Sequence, residues 1–249
     1  METDGLEILP RFETSLVSVI MPALNEAENI RKAIRAAANG HTARDLEIVV
    51  VDGGSADDTA GLAQGQFEAL RIVHSSPGRG LQMNRGAAAS RGDILVFCHA
   101  DTILPQGWLQ AVRTALAAPE VSGGSFRPAF VPERGLTLRL LNRFRYPKNW
   151  RFIWGDQAQF TTRRIYEAVG GFREIPLMED VEMARALRRY GKLARLDLVA
   201  KTSSRRFAEA GAVRHVVRSI WLVFNYLYTG ADPYELARRY RSAGRDASR

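Results

Sequence analysis

The 249-residue sequence contains a single cysteine, Cys98. One cysteine cannot form an internal disulfide, and it cannot build a metal site from thiolates. No uncharged apolar run approaches the ~20 residues that a bilayer-spanning helix needs. Residues 1–15 also lack the basic and apolar regions of a signal peptide. These absences predict a cytoplasmic protein without a membrane-spanning helix.

Lysine is scarce, and the formal net charge of +8 comes from arginines scattered along the chain. Arginine makes bidentate contacts to phosphate, so this charge balance fits a phosphorylated ligand or an anionic membrane surface. The sequence has no compact basic run and no basic stripe interleaved with aromatic residues, which argues against nucleic acid as a partner. No G-x-G-x-x-G follows the first predicted strand, which argues against a Rossmann oxidoreductase.

Strands and helices alternate in the first half of the chain. The pattern predicts an α/β fold with a mostly parallel central sheet and helices on both faces. We predict one domain over residues 1–249, with a nucleotide-type half at 16–120, a second half at 121–210 that elaborates it, and a helical tail at 211–249. The first-half strands are predicted at 17–21, 46–51, 71–74 and 93–99, and their helices end near 38, 66, 90 and 117.

Two helix starts show the spacing of a capping box. Asn25 with Glu28, and Ser55 with Asp58, stand three residues apart just before apolar-periodic segments. We therefore predict that Asn25 and Ser55 cap the first two helices, whose free N–H groups would then form anion sites at the sheet edge.

Polar loops follow the predicted strands at one edge of the sheet. Open α/β sheets bind ligands at the carboxyl ends of their strands. Taken alone, Asp101 has two equal interpretations, as a helix cap or as a ligand-binding carboxylate. Four such loops in register favour a nucleotide site. They contain Asn25-Glu26, Asp52-Gly53, Arg79 with Asn84, and His99-Ala100-Asp101.

The same segments resemble family 2 glycosyltransferases with the GT-A fold. The resemblance runs through Pro22-Ala-Leu-Asn25-Glu26, Asp52-Gly-Gly-Ser55, Ala100-Asp101, and Gly170-Gly171-Phe172 followed by Glu179-Asp180. It covers roughly residues 16–201 and keeps the order of the motifs. Segments 77–86, 99–102 and 176–180 further resemble a small bacterial subgroup named as radical-SAM-associated or arsenosugar-biosynthesis glycosyltransferases.

The resemblance implies a transferase that moves a sugar from a nucleotide-diphospho-sugar donor to an acceptor hydroxyl. Asp180 would be the general base of an inverting displacement. Asp101 would hold Mg²⁺ or Mn²⁺ as the last carboxylate of an Asp-x-Asp motif. The implied donor-binding residues are Pro22, Asn25, Glu26, Asp52, Gly53, Arg79, Asn84, His99, Ala100 and Asp101.

His99 departs from the family pattern because it replaces the first aspartate of Asp-x-Asp. The site then carries one negative charge fewer, and metal affinity would depend more on the donor. The sequence leaves three roles open for His99: a metal ligand, a contact to the donor, or a strand-end imidazole bonded to backbone. Weaker candidates for acceptor or diphosphate contacts are Asp156, Gln157, Glu179 and Arg206.

Two alternatives to a transferase stay open. A nucleotidyltransferase can share a similar sheet, but the expected glycine-rich basic loop after the first strand is absent. A catalytically silent nucleotide-sugar-binding or assembly protein is the other. The apolar helix predicted at 212–228 has two possible interpretations. Its apolar side packs on the domain or on a homodimer partner, or it makes peripheral contact with the inner face of a membrane.

Overall fold

A computed structural model describes residues 12–143, 153, 155–205, 207 and 211–245. Eight strands form one sheet, and helices surround it. The strands are β1 (Val17–Ala23), β2 (Leu46–Asp52), β3 (Leu70–His74), β4 (Ile94–Phe97), β5 (Thr102–Ile103), β6 (Val121–Val131), β7 (Gln159–Thr162) and β8 (Lys192–Ser203). The helices are α1 (Ile30–Ala38), α2 (Thr59–Ala63), α3 (Arg79–Ala89), α4 (Trp108–Ala117), α5 (Gly135–Arg143), α6 (Arg163–Ala168), α7 (Glu179–Leu187), α8 (Ala212–Phe224) and α9 (Pro233–Arg245).

The strand order is β3-β2-β1-β4-β7-β6-β8-β5. β1 pairs in parallel with β2 and β4, β2 with β3, and β6 with β8. β7 runs antiparallel to β4 and β6, and β5 runs antiparallel to β8. The predicted α/β fold with a mostly parallel sheet is confirmed.

Both faces of the central strands are buried, which explains their continuous apolar sequence. Val19 and Met21 of β1 pack in the same cluster as Ile34 of α1 and Trp108 of α4. Ile20, between them, packs in the opposite cluster with Met83 of α3. Helices therefore cover both faces of the sheet, as predicted.

The parallel register brings the carboxyl ends of neighbouring strands together. Ala23 of β1 lies opposite Asp52 of β2, which lies opposite His74 of β3. β4 ends at Phe97, opposite Ile20. The polar loops that follow these strands consequently share one edge of the sheet.

The capping-box prediction is wrong for both helices. α1 begins after Asn29 and α2 after Asp58, and neither of these residues makes a side-chain capping bond. The side chains of Asn25 and Ser55 instead make hydrogen bonds between the loops after β1 and β2, as described below. α2 is also shorter than predicted because residues 56–58 belong to the loop.

The second half of the chain continues the same sheet. β7 lies between β4 and β6, so residues 155–157, just before it, stand next to the turn after β4. β8 is a single strand, and the tail helix α8 continues as a π-helical turn, Asn225–Thr229, before α9. Among the described residues, no helix is long and apolar enough to cross a membrane.

Candidate functional site

Hydrogen bonds join the loops after β1 and β2. Asn25 has a φ of 55°, and its N–H donates to Ser55 Oγ at 2.9 Å. In return, the N–H of Ala56 donates to Asn25 Oδ1 at 2.8 Å. The two loops therefore form one wall at the edge of the sheet.

Asp52 lies at the base of this wall and is only 5% exposed. Its carboxylate accepts hydrogen bonds from the N–H groups of Gly54 and Ser55, both at 3.2 Å, and from the Ser55 hydroxyl. Nδ1 of His74 lies 3.8 Å from Asp52 Oδ2. These bonds fix the carboxylate, whose remaining lone pairs can accept N–H or O–H groups of a ligand.

Glu26 connects the wall to the segment that follows β8. Its Oε1 accepts a hydrogen bond from Arg205 at 2.8 Å, and its Oε2 accepts one from Asn29 at 2.7 Å. The Glu26 N–H donates to Thr59 Oγ1 at 2.8 Å. Arg205 is thus held against the wall formed by the first two loops. Arg206, which the sequence predicted as an acceptor or diphosphate contact, lies outside the described residues.

Gln82 of α3 clamps the ends of β1 and β2. Its Nε2 donates to the carbonyls of Ala23 at 2.9 Å and Val51 at 2.8 Å. A Cβ on Gly53 would lie 2.9 Å from that same nitrogen, so a side chain there would displace Gln82. Pro22 is buried in β1 opposite Val51. The two predicted donor residues Pro22 and Gly53 therefore line the same strand ends.

A turn between β4 and β5 carries His99, Ala100 and Asp101. Ala100 is buried in the core, while His99 and Asp101 are partly exposed. Asp101 Oδ1 accepts long hydrogen bonds from the hydroxyls of Thr102 (3.4 Å) and Thr202 (3.5 Å). These bonds orient the carboxylate from β5 and β8 and leave most of its lone pairs available.

Gly155 brings His99 and Asp180 to the same place. The Gly155 N–H donates to Asp180 Oδ2 at 2.6 Å. A Cβ on Gly155 would lie 2.9 Å from His99 Nε2 and 3.4 Å from Asp180 Oδ2. Only glycine leaves room for this approach, so the turn after β4 and the start of α7 meet here.

An ion pair joins the starts of α3 and α7. Arg79 Nε lies 2.9 Å from Glu179 Oε1; the Glu179 side chain is 1% exposed and that of Arg79 is 33% exposed. Burial alone would lower the pKa of the Arg79 guanidinium. The charges of Glu179, Asp180 and Asp156 outweigh this and raise that pKa. Arg79 therefore stays charged among the acidic groups of the site.

Asp156 and Gln157 follow Gly155 in a 3-10 turn but differ in their surroundings. Asp156 is half-buried and lies close enough to Arg79 to raise its pKa. Gln157 is fully buried, and its Oε1 accepts a hydrogen bond from Ser125 Oγ at 3.3 Å. Asp156 thus belongs to the site cluster, while Gln157 lies in the interior beneath it.

Asn84 forms a bridge between α3 and the loop at residues 170–172. Its Oδ1 accepts hydrogen bonds from Tyr166 Oη at 2.7 Å and from the Phe172 N–H at 2.8 Å. Its Nδ2 donates to the Phe172 carbonyl at 2.9 Å and to Glu174 at 3.2 Å. Because the whole amide is engaged within the protein, this placement does not support the predicted contact of Asn84 with a donor.

The turn after β4 offers few protein ligands for a metal ion. In the part of the chain that the structure describes, no three His, Cys, Asp or Glu side chains are arranged to hold one. The turn after β4 supplies one carboxylate, Asp101, beside one imidazole, His99. Hard divalent cations take oxygen ligands and often complete their shell with water and substrate phosphates. The residues therefore fit a cation shared with a diphosphate.

The family profile of Glycosyl transferase family 2 matches residues 18–175, which is more than half of the chain. The chain belongs to this family. The matched part of this glycosyltransferase family 2 chain contains Asp52, Asp101 and Gly155, and it ends shortly before Asp180.

Curated relatives match parts of this family 2 chain. The probable glycosyltransferase YdaM of Bacillus subtilis (strain 168) is 29% identical over 194 residues, which cover 69% of this chain and 46% of YdaM. Glucosyl-3-phosphoglycerate synthase of Mycolicibacterium paratuberculosis is 38% identical over 96 residues, which cover 36% of this chain and 29% of the synthase. The chain thus spans less than half the length of these relatives.

Solved structures show the fold of this family 2 chain. The mannosyltransferase PcManGT of Pyrobaculum calidifontis, in complex with GDP-Man and Mn²⁺, has a TM-score of 0.62 at 18% identity and covers 94% of this chain and 75% of its own. Glucosyl-3-phosphoglycerate synthase of Mycobacterium tuberculosis, in complex with Mn²⁺, UDP and glucosyl-3-phosphoglycerate, has a TM-score of 0.56 at 21% identity. The match covers 90% of this chain and 86% of the synthase chain. The predicted GT-A fold is confirmed.

Two residues that complete the family 2 site carried no sequence signal of their role. Thr202 reads as an ordinary strand residue, and it reaches Asp101 only because β8 pairs with β5. Gly155 precedes a polar pair, which predicts no more than a turn. Its importance comes from the close approach of two distant segments, which local sequence does not encode.

Proposed function

We propose that this protein transfers a sugar from a nucleotide-diphospho-sugar donor to an acceptor hydroxyl, with inversion at the anomeric carbon. One observation carries the proposal: Gly155 holds the Asp180 carboxylate beside His99, on the turn that also carries Asp101. A base and a diphosphate-binding carboxylate thus share the edge of the sheet that ends in Asp52.

The donor side is built from the wall formed by the first two loops. Asp52 accepts N–H or O–H groups of the nucleoside, and Asn25 and Glu26 line the same wall above it. Arg79, charged and one-third exposed, stabilises the negative charge of the diphosphate. In support, the structurally similar PcManGT binds GDP-Man, and the synthase of M. tuberculosis binds UDP.

Asp101 is the residue that would hold a divalent cation, Mg²⁺ or Mn²⁺, with His99 beside it. When bound, the cation would stabilise the charge that develops on the departing diphosphate. Both similar structures contain Mn²⁺, which supports this part of the proposal. A single protein carboxylate is enough where diphosphate oxygens and water supply the other ligands.

Asp180 acts as the general base. Each of its oxygens accepts one backbone N–H, from Val181 at 2.7 Å and from Gly155 at 2.6 Å, so the carboxylate cannot rotate freely. The acceptor hydroxyl gives its proton to this carboxylate while its oxygen bonds to the anomeric carbon. The bond from that carbon to the diphosphate oxygen breaks, and the electron pair leaves with the nucleoside diphosphate.

Asp156 and Glu179 lie at the acceptor side of this base. Glu179 is buried and paired with Arg79, so it positions the arginine and is a poor rival as the base. Asp156 is half-buried next to Gly155 and is the better placed of the two to contact an acceptor hydroxyl. We propose Arg206 as a further contact on the same side, whereas the full burial of Gln157 does not support its predicted contact.

We also propose membership in the radical-SAM-associated or arsenosugar-biosynthesis subgroup. The Arg79–Glu179 ion pair at 2.9 Å supports it, because these residues belong to two of the three segments that resemble the subgroup. The segments are distant in sequence yet meet at the site. Activity of the purified protein on an arsenic-containing sugar acceptor would test this placement, and activity on unrelated acceptors alone would contradict it.

Calorimetric titration with UDP-, GDP-, ADP- and dTDP-sugars, with Mn²⁺ and with chelator, tests the proposed function. We expect one donor class to bind, more tightly with Mn²⁺, and to be slowly hydrolysed in the absence of acceptor. Binding without any turnover would favour the silent nucleotide-sugar-binding protein. Release of pyrophosphate from a nucleoside triphosphate and a sugar phosphate would instead show a nucleotidyltransferase.

A further inference from the structure

The tail helix α8 exposes a row of large apolar side chains, which we call the outer face. It consists of Val213, Val217, Ile220, Trp221 and Phe224, whose side chains are between 43% and 62% exposed. Their spacing of three and four residues places them on one side of the helix. Among the described residues nothing covers this face.

The helix itself is firmly docked, so its outer face is not exposed by a loose fit. Leu222, on the opposite side, is 4% exposed and packs with Met178 and Val181 beside the start of α7. Val216 packs with Leu138 of α5 in a second cluster. The same protein interior that holds Asp180 therefore supports α8 from beneath.

Helix α5 extends the apolar surface. Its Leu136 and Leu140 are 70% and 59% exposed, while Leu138 between them is buried against Phe130 and the start of α8. Leucines that alternate between a buried and an exposed side are unusual in a helix whose outer side faces water. The two packed helices thus both expose large apolar side chains, more than the singly scattered apolar residues of an ordinary surface.

The charges on these helices have one sign. Residues 135–143 and 212–229 contain no aspartate or glutamate, but they contain Arg139, Arg143, Arg214 and Arg218. Arg214 is exposed next to the outer face, and Arg218 lies 4.1 Å from the centre of the Tyr240 ring. A symmetric contact with a second copy of this chain would bring these arginines together, so charge complementarity opposes a homodimer.

We propose that the outer face, with Leu136 and Leu140, docks in the plane of an anionic phospholipid bilayer. Val213, Ile220 and Phe224 would enter the boundary between headgroups and acyl chains, and Trp221 would lie at the headgroup level. Arg214 would contact lipid phosphates. α8 has 13 residues, about 20 Å of helix, too short to span the ~30 Å hydrocarbon core, so it lies along the surface.

Docking in this way places the start of α7, which packs against the inner side of α8, close to the membrane surface. The proposal does not depend on the transfer reaction, because it concerns only the surface of α5 and α8. Vesicle binding can therefore succeed or fail independently of any measurement of donor binding or turnover.

Flotation of the full chain with vesicles tests the proposal. One vesicle set is phosphatidylcholine alone, and the other is an equal mixture of phosphatidylcholine and phosphatidylglycerol. We expect binding to the mixed vesicles that weakens at high salt, and little binding to the neutral ones. Trp221→Ser combined with Phe224→Ser should weaken binding by about tenfold or more. Arg214→Glu should weaken it by about tenfold on the mixed vesicles only.

Matched controls separate the surface from general effects. Lys32→Glu on α1 makes the same change of net charge as Arg214→Glu, and Tyr190→Ser removes another exposed aromatic ring; both should leave vesicle binding unchanged. Because the outer-face side chains are exposed, the variants should keep the thermal unfolding midpoint of the wild type. Equal binding to both vesicle types, or binding unaffected by the outer-face variants, would overturn the proposal. So would a wild-type dimer in light scattering that Trp221→Ser with Phe224→Ser turns into a monomer.

Discussion

The N–H of Gly155 donates a hydrogen bond to Asp180 Oδ2 at 2.6 Å, and this contact joins the two halves of the site. Gly155 precedes β7, which inserts between β4 and β6, and Asp180 lies in the first turn of α7. The same glycine faces the His99 ring. The position of the proposed base is therefore set by the order of strands in the sheet.

Asp180→Asn should slow sugar transfer by about 10²–10⁴-fold, because the amide cannot take the acceptor proton. The shape of the side chain is kept, so donor affinity measured by calorimetry should change little. Glu182→Gln, two residues further along the same helix, is the matched control and should keep transfer within a few-fold of the wild type. Unchanged transfer by Asp180→Asn would show that another group acts as the base.

Asp101→Asn should remove the dependence of donor affinity on Mn²⁺, because the amide oxygen carries no charge to hold the cation. His99→Asp should have the opposite effect and increase Mn²⁺ affinity, since it adds a second carboxylate to the turn. Titration of each variant with the donor, at several Mn²⁺ concentrations and with chelator, measures both effects. Asp197→Asn, on the exposed side of β8, is the control and should leave the Mn²⁺ dependence unchanged. If the donor affinity of the wild type is the same with Mn²⁺ and with chelator, the assignment of Asp101 as a metal ligand is contradicted.

Asn84→Ala should lower the free energy of unfolding by about 1–3 kcal/mol, because it leaves the N–H and carbonyl of Phe172 and the hydroxyl of Tyr166 without partners. Donor affinity of the folded variant should stay close to that of the wild type. Denaturant unfolding and calorimetry on the same sample separate the two quantities. A large loss of donor affinity without loss of stability would restore Asn84 to the donor site.

Glu47 should make the stability of the fold depend on pH in the acidic range. Burial alone would raise its pKa, but hydrogen bonds from the Arg91 N–H, the Ser18 hydroxyl (2.7 Å) and the Arg91 side chain, together with the charge of Arg71, hold that pKa below its ordinary value of 4.5. A lowered folded-state pKa stabilises the protein above pH 4.5, and this contribution is lost as the pH falls through the folded-state pKa.

Glu47→Gln measures this contribution. The side chains of Arg71 and Arg91 are 46% and 69% exposed, so solvent screens their charges and we expect a loss of about 1–3 kcal/mol at neutral pH. The difference from the wild type should shrink below pH 4.5, as the Glu47 carboxylate of the wild type takes up its proton. Glu120→Gln, at an exposed position, should show no such trend. A difference that stays constant from pH 7 to pH 3 would contradict the ionic role of Glu47.

The pattern of apolar strands and polar loops was sufficient to predict the mostly parallel sheet and the edge where the polar loops gather. Strand β1 is apolar at successive positions because helices cover both faces, and that composition is visible in the sequence alone. The same pattern placed Asp52 at the end of a strand and Asp101 in the turn that follows one, where the structure has them. The role of each as a ligand-binding group remains a prediction, as does the single domain over residues 1–249.

Local patterns failed where a side chain had partners far away in the sequence. Asn25 and Ser55 have the spacing of capping residues, yet each binds the loop of the other. Asn84 lies in the helix that starts at the polar edge, yet its amide binds the backbone of Phe172. In both cases the partner belongs to a segment remote in the chain and is brought near by the packing of the fold.

The sequence by itself determined the alternation of strands and helices in the first half, the mostly parallel sheet and the family, because these depend on periodicity and on motifs of a few residues. Tertiary structure decided that Gly155 places His99 beside Asp180, that Arg205 reaches Glu26, and that α8 buries Leu222 while exposing Trp221. Each of these depends on the distance between segments remote in the chain. Such distances follow from how the strands are ordered and how the helices pack on them, and no local pattern encodes them.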